Sequence, residues 1–280
     1  MNEANYDSHF EKPVQGAVIG EHNTVTIINQ EERLEHPLSK QERLNRSRML
    51  RRVCSTWIKG VLEQSLHNAA LIALGLQEKS SVLSNPWRLV VQEVEQPTRP
   101  LSASTHILQV YDDAGGELLI LGEPGAGKTT LLLELTRDLL ARSQANESEP
   151  LQVVFNLSSW AKKRLPLTEW LVEELHDKYD VQHQIGNTWV RNDDLLLLLD
   201  GLDEVAPTAR EACIDAINLY RQEHSLVPVV VCSRSTEYLH QQTQLRLQKA
   251  VVIQPLTNEQ IDDYLVSIRN TDRCPARSTS

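Results

Sequence analysis

From residue 117 the chain repeats one alternation: a short, unbroken apolar run, then a longer stretch with apolar residues at helical spacing. Residues 117–121, 151–157, 195–199, 228–232 and 250–254 are the apolar runs, and they read as strands. Residues 131–140, 166–175, 207–224 and a stretch near 236–247 place their apolar positions along one helix face. Runs that are apolar throughout, instead of alternating, belong to strands buried on both faces. Alternated with helices, they predict a parallel five-stranded sheet between two helical layers, an α/β fold. In such a sheet a ligand sits at the carboxyl ends of the strands.

The first hundred residues read differently. Residues 1–13 form a polar tail. Residues 14–28 alternate apolar and polar positions around Gly20-Glu-His-Asn23, which predicts a small β-hairpin. A helical pattern begins near Ser39 and carries Leu44, Met49, Leu50, Val53, Trp57, Ile58, Val61, Leu62 and Leu66. Arg43, Arg46, Arg48, Arg51 and Arg52 crowd the same stretch. They form either a basic face for a membrane, nucleic acid or an acidic partner, or a solvated face paired with nearby Glu residues. Asn85-Pro86-Trp87 breaks the helical region, and the Pro/Ser-rich stretch 96–104 marks a boundary. The expected organisation is a tail with a hairpin over 1–36, a helical region and linker over 37–104, a nucleotide-type α/β domain over 105–256, and the start of a helical element with a polar tail over 257–280. That last element opens at a capping box, Thr257-Asn-Glu-Gln260.

Composition narrows the classes. The chain has 280 residues, a net charge of −10 and a sequence pI near 5.4, which disfavours a broad nucleic-acid-binding surface. Cys54, Cys213, Cys232 and Cys274 are far apart, and the polar N-terminus holds no secretory h-region. Both predict reduced packing thiols in a cytoplasmic protein. No apolar run approaches the ~18 residues of a membrane helix. The nine His residues form no metal-binding pattern, and His106 and His224 read as ordinary polar residues. Trp57, Trp87, Trp160, Trp170 and Trp189 fall mostly in apolar patterns and read as packing residues.

The chemistry concentrates in three stretches. Gly122-Glu123-Pro124-Gly125-Ala126-Gly127-Lys128-Thr129-Thr130 fits the phosphate-loop pattern G-x-x-x-x-G-K-[ST] between a strand and a helix. Its glycines let the backbone wrap a phosphate, and the helix N-terminus faces the anion. Lys128 is placed to reach the β- and γ-phosphates and the Thr129 hydroxyl to bind Mg²⁺. The strand 195–199 delivers Asp200 to the same sheet edge, followed by Gly201-Leu202-Asp203-Glu204. Asp200 is the candidate Mg²⁺ ligand, and either Asp203 or Glu204 the carboxylate that orients or deprotonates water. The strand ending Cys232-Ser233-Arg234 brings Arg234 toward the γ-phosphate edge, where a guanidinium can stabilise transferring charge.

Together the phosphate loop, the Asp200-Gly-Leu-Asp-Glu204 box, the Arg234 strand end and the Pro255-Leu256 step resemble the NACHT subgroup of STAND NTPases, within the P-loop NTPases. These motifs cover residues 105–268, and the acidic box is the most specific of them. The resemblance implies a P-loop NTPase fold that binds ATP or ADP with Mg²⁺, hydrolyses ATP slowly, and switches between nucleotide states that oligomerise. It implies that Lys128 and Thr129 hold phosphate and Mg²⁺, Asp200 holds Mg²⁺, Asp203 or Glu204 orients water, and Arg234 senses the γ-phosphate. It also implies that the Arg234 strand lies between those of the phosphate loop and Asp200, and that the base packs near Ile107 and Leu108. NACHT proteins usually continue into further helical and winged-helix domains, so the resemblance implies a C-terminally truncated chain. Two other classes stay open. One is a GTP-binding protein, although the chain carries no Asn-Lys-x-Asp box. The other is an interaction scaffold that holds nucleotide without hydrolysing it.

Overall fold

The computed structural model describes residues 38–65, 76–78, 99–100 and 106–254. The expected hairpin over 14–28, Trp87 and the capped helix after residue 257 lie outside these residues. The chain forms α1 (Lys40–Val53), a π-helical stretch (Cys54–Leu62) and α2 (Glu63–Ser65). Two short strands follow, β1 (Leu76–Glu78) and β2 (Arg99–Pro100), then α3 (Ile107–Asp113), β3 (Glu117–Gly122), α4 (Lys128–Ala145) and β4 (Leu151–Asn156). Next come α5 (Trp160–Lys163), α6 (Leu167–Tyr179), α7 (His183–Arg191), β5 (Leu195–Asp200), α8 (Pro207–Glu223), β6 (Val229–Arg234), α9 (Ser235–Leu239) and β7 (Lys249–Ile253).

The five apolar runs form the expected parallel strands, in the order β7-β3-β6-β5-β4. Leu118–Leu121, Leu195–Leu199 and Val229–Ser233 are buried throughout, as strands covered on both faces must be. β6, which ends at Arg234, lies between β3 and β5. The sheet is also wider than the five runs alone. β1 pairs antiparallel with β7 and β2 with β1, so the stretch expected to be a helical region and linker supplies two further strands, with β2 at the edge.

At the other edge, β4 is covered by α1. Ser39 caps α1: its hydroxyl accepts from Glu42 N–H, and its own N–H donates to Glu42 Oε2 at 2.7 Å. Met49, Leu50 and Val53 face the core. Three of the five arginines fasten the helix to the α/β layers rather than to glutamates of their own helix. Arg46 donates to the Glu149 carbonyl, Arg43 pairs with Glu147 at 2.9 Å, and Arg52 bonds the Tyr179 carbonyl and the Asp180 carboxylate. Trp57 Nε1 donates to the Tyr179 hydroxyl at 2.8 Å, and that hydroxyl donates to the outward-facing Val154 carbonyl of β4. An exposed strand edge invites pairing with other chains, and this cover occupies it. Trp160, Trp170 and Trp189 are buried in the core.

The helix expected near 236–247 is a correction. α9 stops at Leu239, and residues 240–248 run irregularly with Leu245 and Leu247 buried. Side chains take the backbone groups a helix would have paired. Leu245 N–H donates to the Tyr238 hydroxyl at 2.8 Å. The Asn218 amide donates to the Gln244 carbonyl at 3.0 Å and accepts from Arg246 N–H at 2.9 Å.

Candidate functional site: the strand ends around the phosphate loop

β3 runs straight into the phosphate loop, and the loop into α4. Gly127 is the residue before α4 and has φ +89°, a conformation that L side chains avoid. No side chain caps this helix end, so none takes up its first N–H groups. Lys128 Nζ folds back over the loop and donates to the carbonyls of Gly122 (3.0 Å) and Glu123 (3.1 Å). Glu123, Pro124 and Gly125 are exposed, and Ala126 and Thr130 are partly buried.

The next strand end supplies the acids. Asp200 closes β5, and the Thr129 hydroxyl donates to its Oδ2 at 2.9 Å. The two motifs foreseen from sequence therefore meet. Burial raises the Asp200 carboxyl above its ordinary range; the Thr129 hydrogen bond opposes this, and the nearby Glu204 and Asp203 charges reinforce it. A hydroxyl and a desolvated carboxylate are hard oxygen donors of the kind Mg²⁺ takes in phosphate sites, where one or two carboxylates suffice. Among the described residues no group of three or more His, Cys, Asp or Glu is placed to hold a metal ion. Thr129 and Asp200 thus fit an Mg²⁺ that travels with a nucleotide.

Asp203 and Glu204 are in different situations. Gly201 turns the chain at φ +77°, and Leu202–Glu204 form a single 3-10 turn. Asp203 has a side chain only 9% exposed, with both oxygens engaged. Oδ1 accepts from Arg234 N–H at 3.1 Å, and Oδ2 lies 2.9 Å from Arg234 Nε. Glu204 folds back over Gly201, where a Cβ would come within 3.0 Å of its carboxylate. Its Oε2 accepts from Asn156 Nδ2 at 3.1 Å, and Asn156 Oδ1 in turn accepts from Ser158 N–H at 2.8 Å. Glu204 is exposed and bonded to Asn156; Asp203 is the one that holds Arg234.

Arg234 lies in register with Gly122 on the adjacent strand, one strand from the phosphate loop. Its guanidinium pairs with Asp203 and, at 3.4 Å, with Glu237. Cys232, two residues before it on β6, is fully buried; desolvation pushes its thiol well above the ordinary value, so it is inert packing. Ile107 is buried in α3 just ahead of β3, with Leu108 packed beside it.

Two residues of this site were not foreseen. Asn156 ends β4 in register with Asp200, so the sheet places it beside the acidic turn. Its signal was a polar residue at the carboxyl end of an apolar run. Arg210 is buried in the first turn of α8 and bonds the backbone of the acidic turn. Its signal was a charge on the apolar face that Cys213, Ile214 and Ile217 define.

Residues 117–271, more than half of the chain, match the NACHT domain family. No curated protein matches. Among solved structures, the Aeropyrum pernix Orc1 protein in complex with DNA is similar at 18% identity, over 59% of this chain and 47% of that one, with a TM-score of 0.43. PCH-2 of C. elegans is similar at 14% identity, over 59% of this chain and 44% of that one, with a TM-score of 0.35. The matched region spans about half the length of those structures. With its phosphate loop, acidic strand end and parallel sheet, the chain belongs to the NACHT domain family of P-loop NTPases.

Proposed function

We propose that this nucleotide-binding P-loop module takes ATP with Mg²⁺, hydrolyses it slowly, and acts as a nucleotide-dependent switch in signalling or bacterial defence. The observation that carries the reading is the convergence of Thr129, Asp200 and Glu204 at the carboxyl ends of β3 and β5. In this reading the 123–127 backbone and the start of α4 cradle the phosphates, and Lys128 leaves the Gly122 and Glu123 carbonyls to reach them. Thr129 and Asp200 hold Mg²⁺, which supplies charge neutralisation on the phosphate oxygens. Glu204, held by Asn156, accepts the hydrogen bond of the attacking water and orients it. Arg234 exchanges its carboxylate partners for the γ-phosphate.

In the same proposal residues 105–256 are the nucleotide unit, 37–104 a helical region and linker that adds two strands to its sheet, the module works in the cytoplasm, and its ATP state self-associates. The test is ATP, ADP and GTP binding with Mg²⁺ to the purified chain, followed by phosphate release, with Lys128→Ala alongside. Lys128-dependent turnover of ATP supports the reading. Preference for GTP overturns the choice of nucleotide. Tight ATP binding without turnover replaces the hydrolase with a nucleotide-held scaffold.

A further inference from the structure

Arg210 is 6% exposed, and its guanidinium meets backbone carbonyls from two separate segments. Nε donates to Leu202 at 3.3 Å, and Nη2 to Asp203 at 2.8 Å and to Val205 at 3.0 Å. Nη1 donates to the Glu237 carbonyl on α9 at 3.5 Å. Removing a charged group from water is costly unless its donors are matched, and here backbone carbonyls match them. The acidic turn does little to hold itself. Its own backbone bonds are Glu204 N–H to Gly201 at 2.9 Å and Val205 N–H to Leu202 at 3.3 Å. The carbonyls on either side of Glu204, those of Asp203 and Val205, both end on Arg210. The carboxylate of Glu237, whose carbonyl Arg210 also holds, faces Arg234.

We propose that Arg210 is a positioning residue for nucleotide hydrolysis: it fixes the backbone on both sides of Glu204 and ties that turn to the segment that holds Arg234. The inference rests on the proposed function and adds to it a residue that touches neither nucleotide nor water. A planar guanidinium reaches both segments at once, while a lysine ammonium with three donors at one point does not. A misplacement of about 1 Å at the reacting carboxylate costs on the order of 100-fold in rate.

The experiment compares Arg210→Lys and the uncharged Arg210→Gln with the parent, in the full chain, by thermal melting, ADP affinity, kcat and KM for ATP. Each variant is made again in a Glu204→Gln background. The expected result is ADP affinity and KM close to the parent's, kcat down about 100-fold, and no further fall when Glu204 is already Gln. Equal fractional losses in both backgrounds, or loss of ADP binding in step with lost folding, would reduce Arg210 to a structural residue and overturn the proposal. Should the parent bind nucleotide without turnover, the ratio of ATPγS to ADP affinity is read instead. A changed ratio with ADP affinity retained supports the coupling to Arg234, and an unchanged ratio overturns it. A parent that binds no nucleotide removes the functional reading, and this inference falls with it.

Discussion

The hydroxyl of Thr129 donates to the carboxylate of Asp200 at 2.9 Å, joining the first turn of α4 to the end of β5. Asp200 is desolvated there, and its carboxyl titrates above the ordinary range chiefly because of that burial. A carboxylate whose folded value is raised contributes stability while protonated, and that contribution is lost as pH rises through the raised value. At pH 7 the ionised group therefore works against the fold, and a cation relieves it. Asp200→Asn keeps an acceptor for Thr129 and removes the charge. Its nucleotide-free form is expected to melt above the parent at pH 7, with the gap closing as pH falls into the carboxylate range. The same variant is expected to lose the Mg²⁺-dependent part of its ATP affinity. Melting curves across pH, with and without Mg²⁺ and ATP, check both; a variant that melts below the parent at pH 7 contradicts the account.

Asp203 and Glu204 are neighbours in sequence with different partners, and substitution is expected to separate them. Glu204→Gln keeps the Asn156 contact and is expected to bind ATP as the parent does, while turnover falls by about 10²–10⁴. Asp203→Asn keeps an acceptor for Arg234 N–H but loses the ion pair to its guanidinium. Because Arg234 is 43% exposed, water screens that pair, and a stability loss of about 1 kcal/mol is expected. Parent-like turnover in Glu204→Gln would return the water-orienting role to Asp203.

The sequence made the sheet legible because its central strands are buried on both faces, which leaves continuous apolar runs such as 195–199. That residues 122–130 and Asp200 meet at one sheet edge was legible because each follows directly on a buried apolar run. What stayed hidden depends on long-range partners. The different settings of Asp203 and Glu204 turn on Arg234 and Asn156, which the fold brings from β6 and β4. The irregular course of 240–248 turns on Asn218 and Tyr238, whose side chains pair its backbone, while its residues by themselves suit a helix. The arginines of α1 read as a solvated or partner-binding face because the carbonyls and carboxylates they meet lie about a hundred residues onward.

Those arginines carry a prediction of their own. Arg46 is buried, and its guanidinium serves the Glu149 carbonyl beside the edge strand β4. Arg46→Ala strips that carbonyl of its donor and removes packing from the stem. A loss of about 2 kcal/mol in stability is expected, with nucleotide affinity unchanged because the phosphate loop lies at the far ends of the strands. Denaturant unfolding alongside ADP titration checks this. An Arg46→Ala protein of parent stability would mean that α1 docks through its apolar face and its other arginines without the Arg46–Glu149 contact.

Lys128 gives the sharpest test of the site. Without nucleotide its ammonium rests on the Gly122 and Glu123 carbonyls, a half-exposed arrangement that water can replace. Lys128→Ala is therefore expected to fold with nearly parent stability. With nucleotide, the same ammonium would exchange two neutral acceptors for phosphate oxygens, and hydrogen bonds between charged groups contribute about 1.5–3 kcal/mol. Removing it is expected to weaken ATP and ADP binding by roughly 10- to 100-fold, at about 1.4 kcal/mol per tenfold. The loss is expected to be larger for ATP, whose γ-phosphate the side chain also reaches. Titration of both nucleotides against the parent and Lys128→Ala, with a melting curve for each, measures this. Parent-like affinity in a folded variant would mean that the phosphates do not lie in this loop.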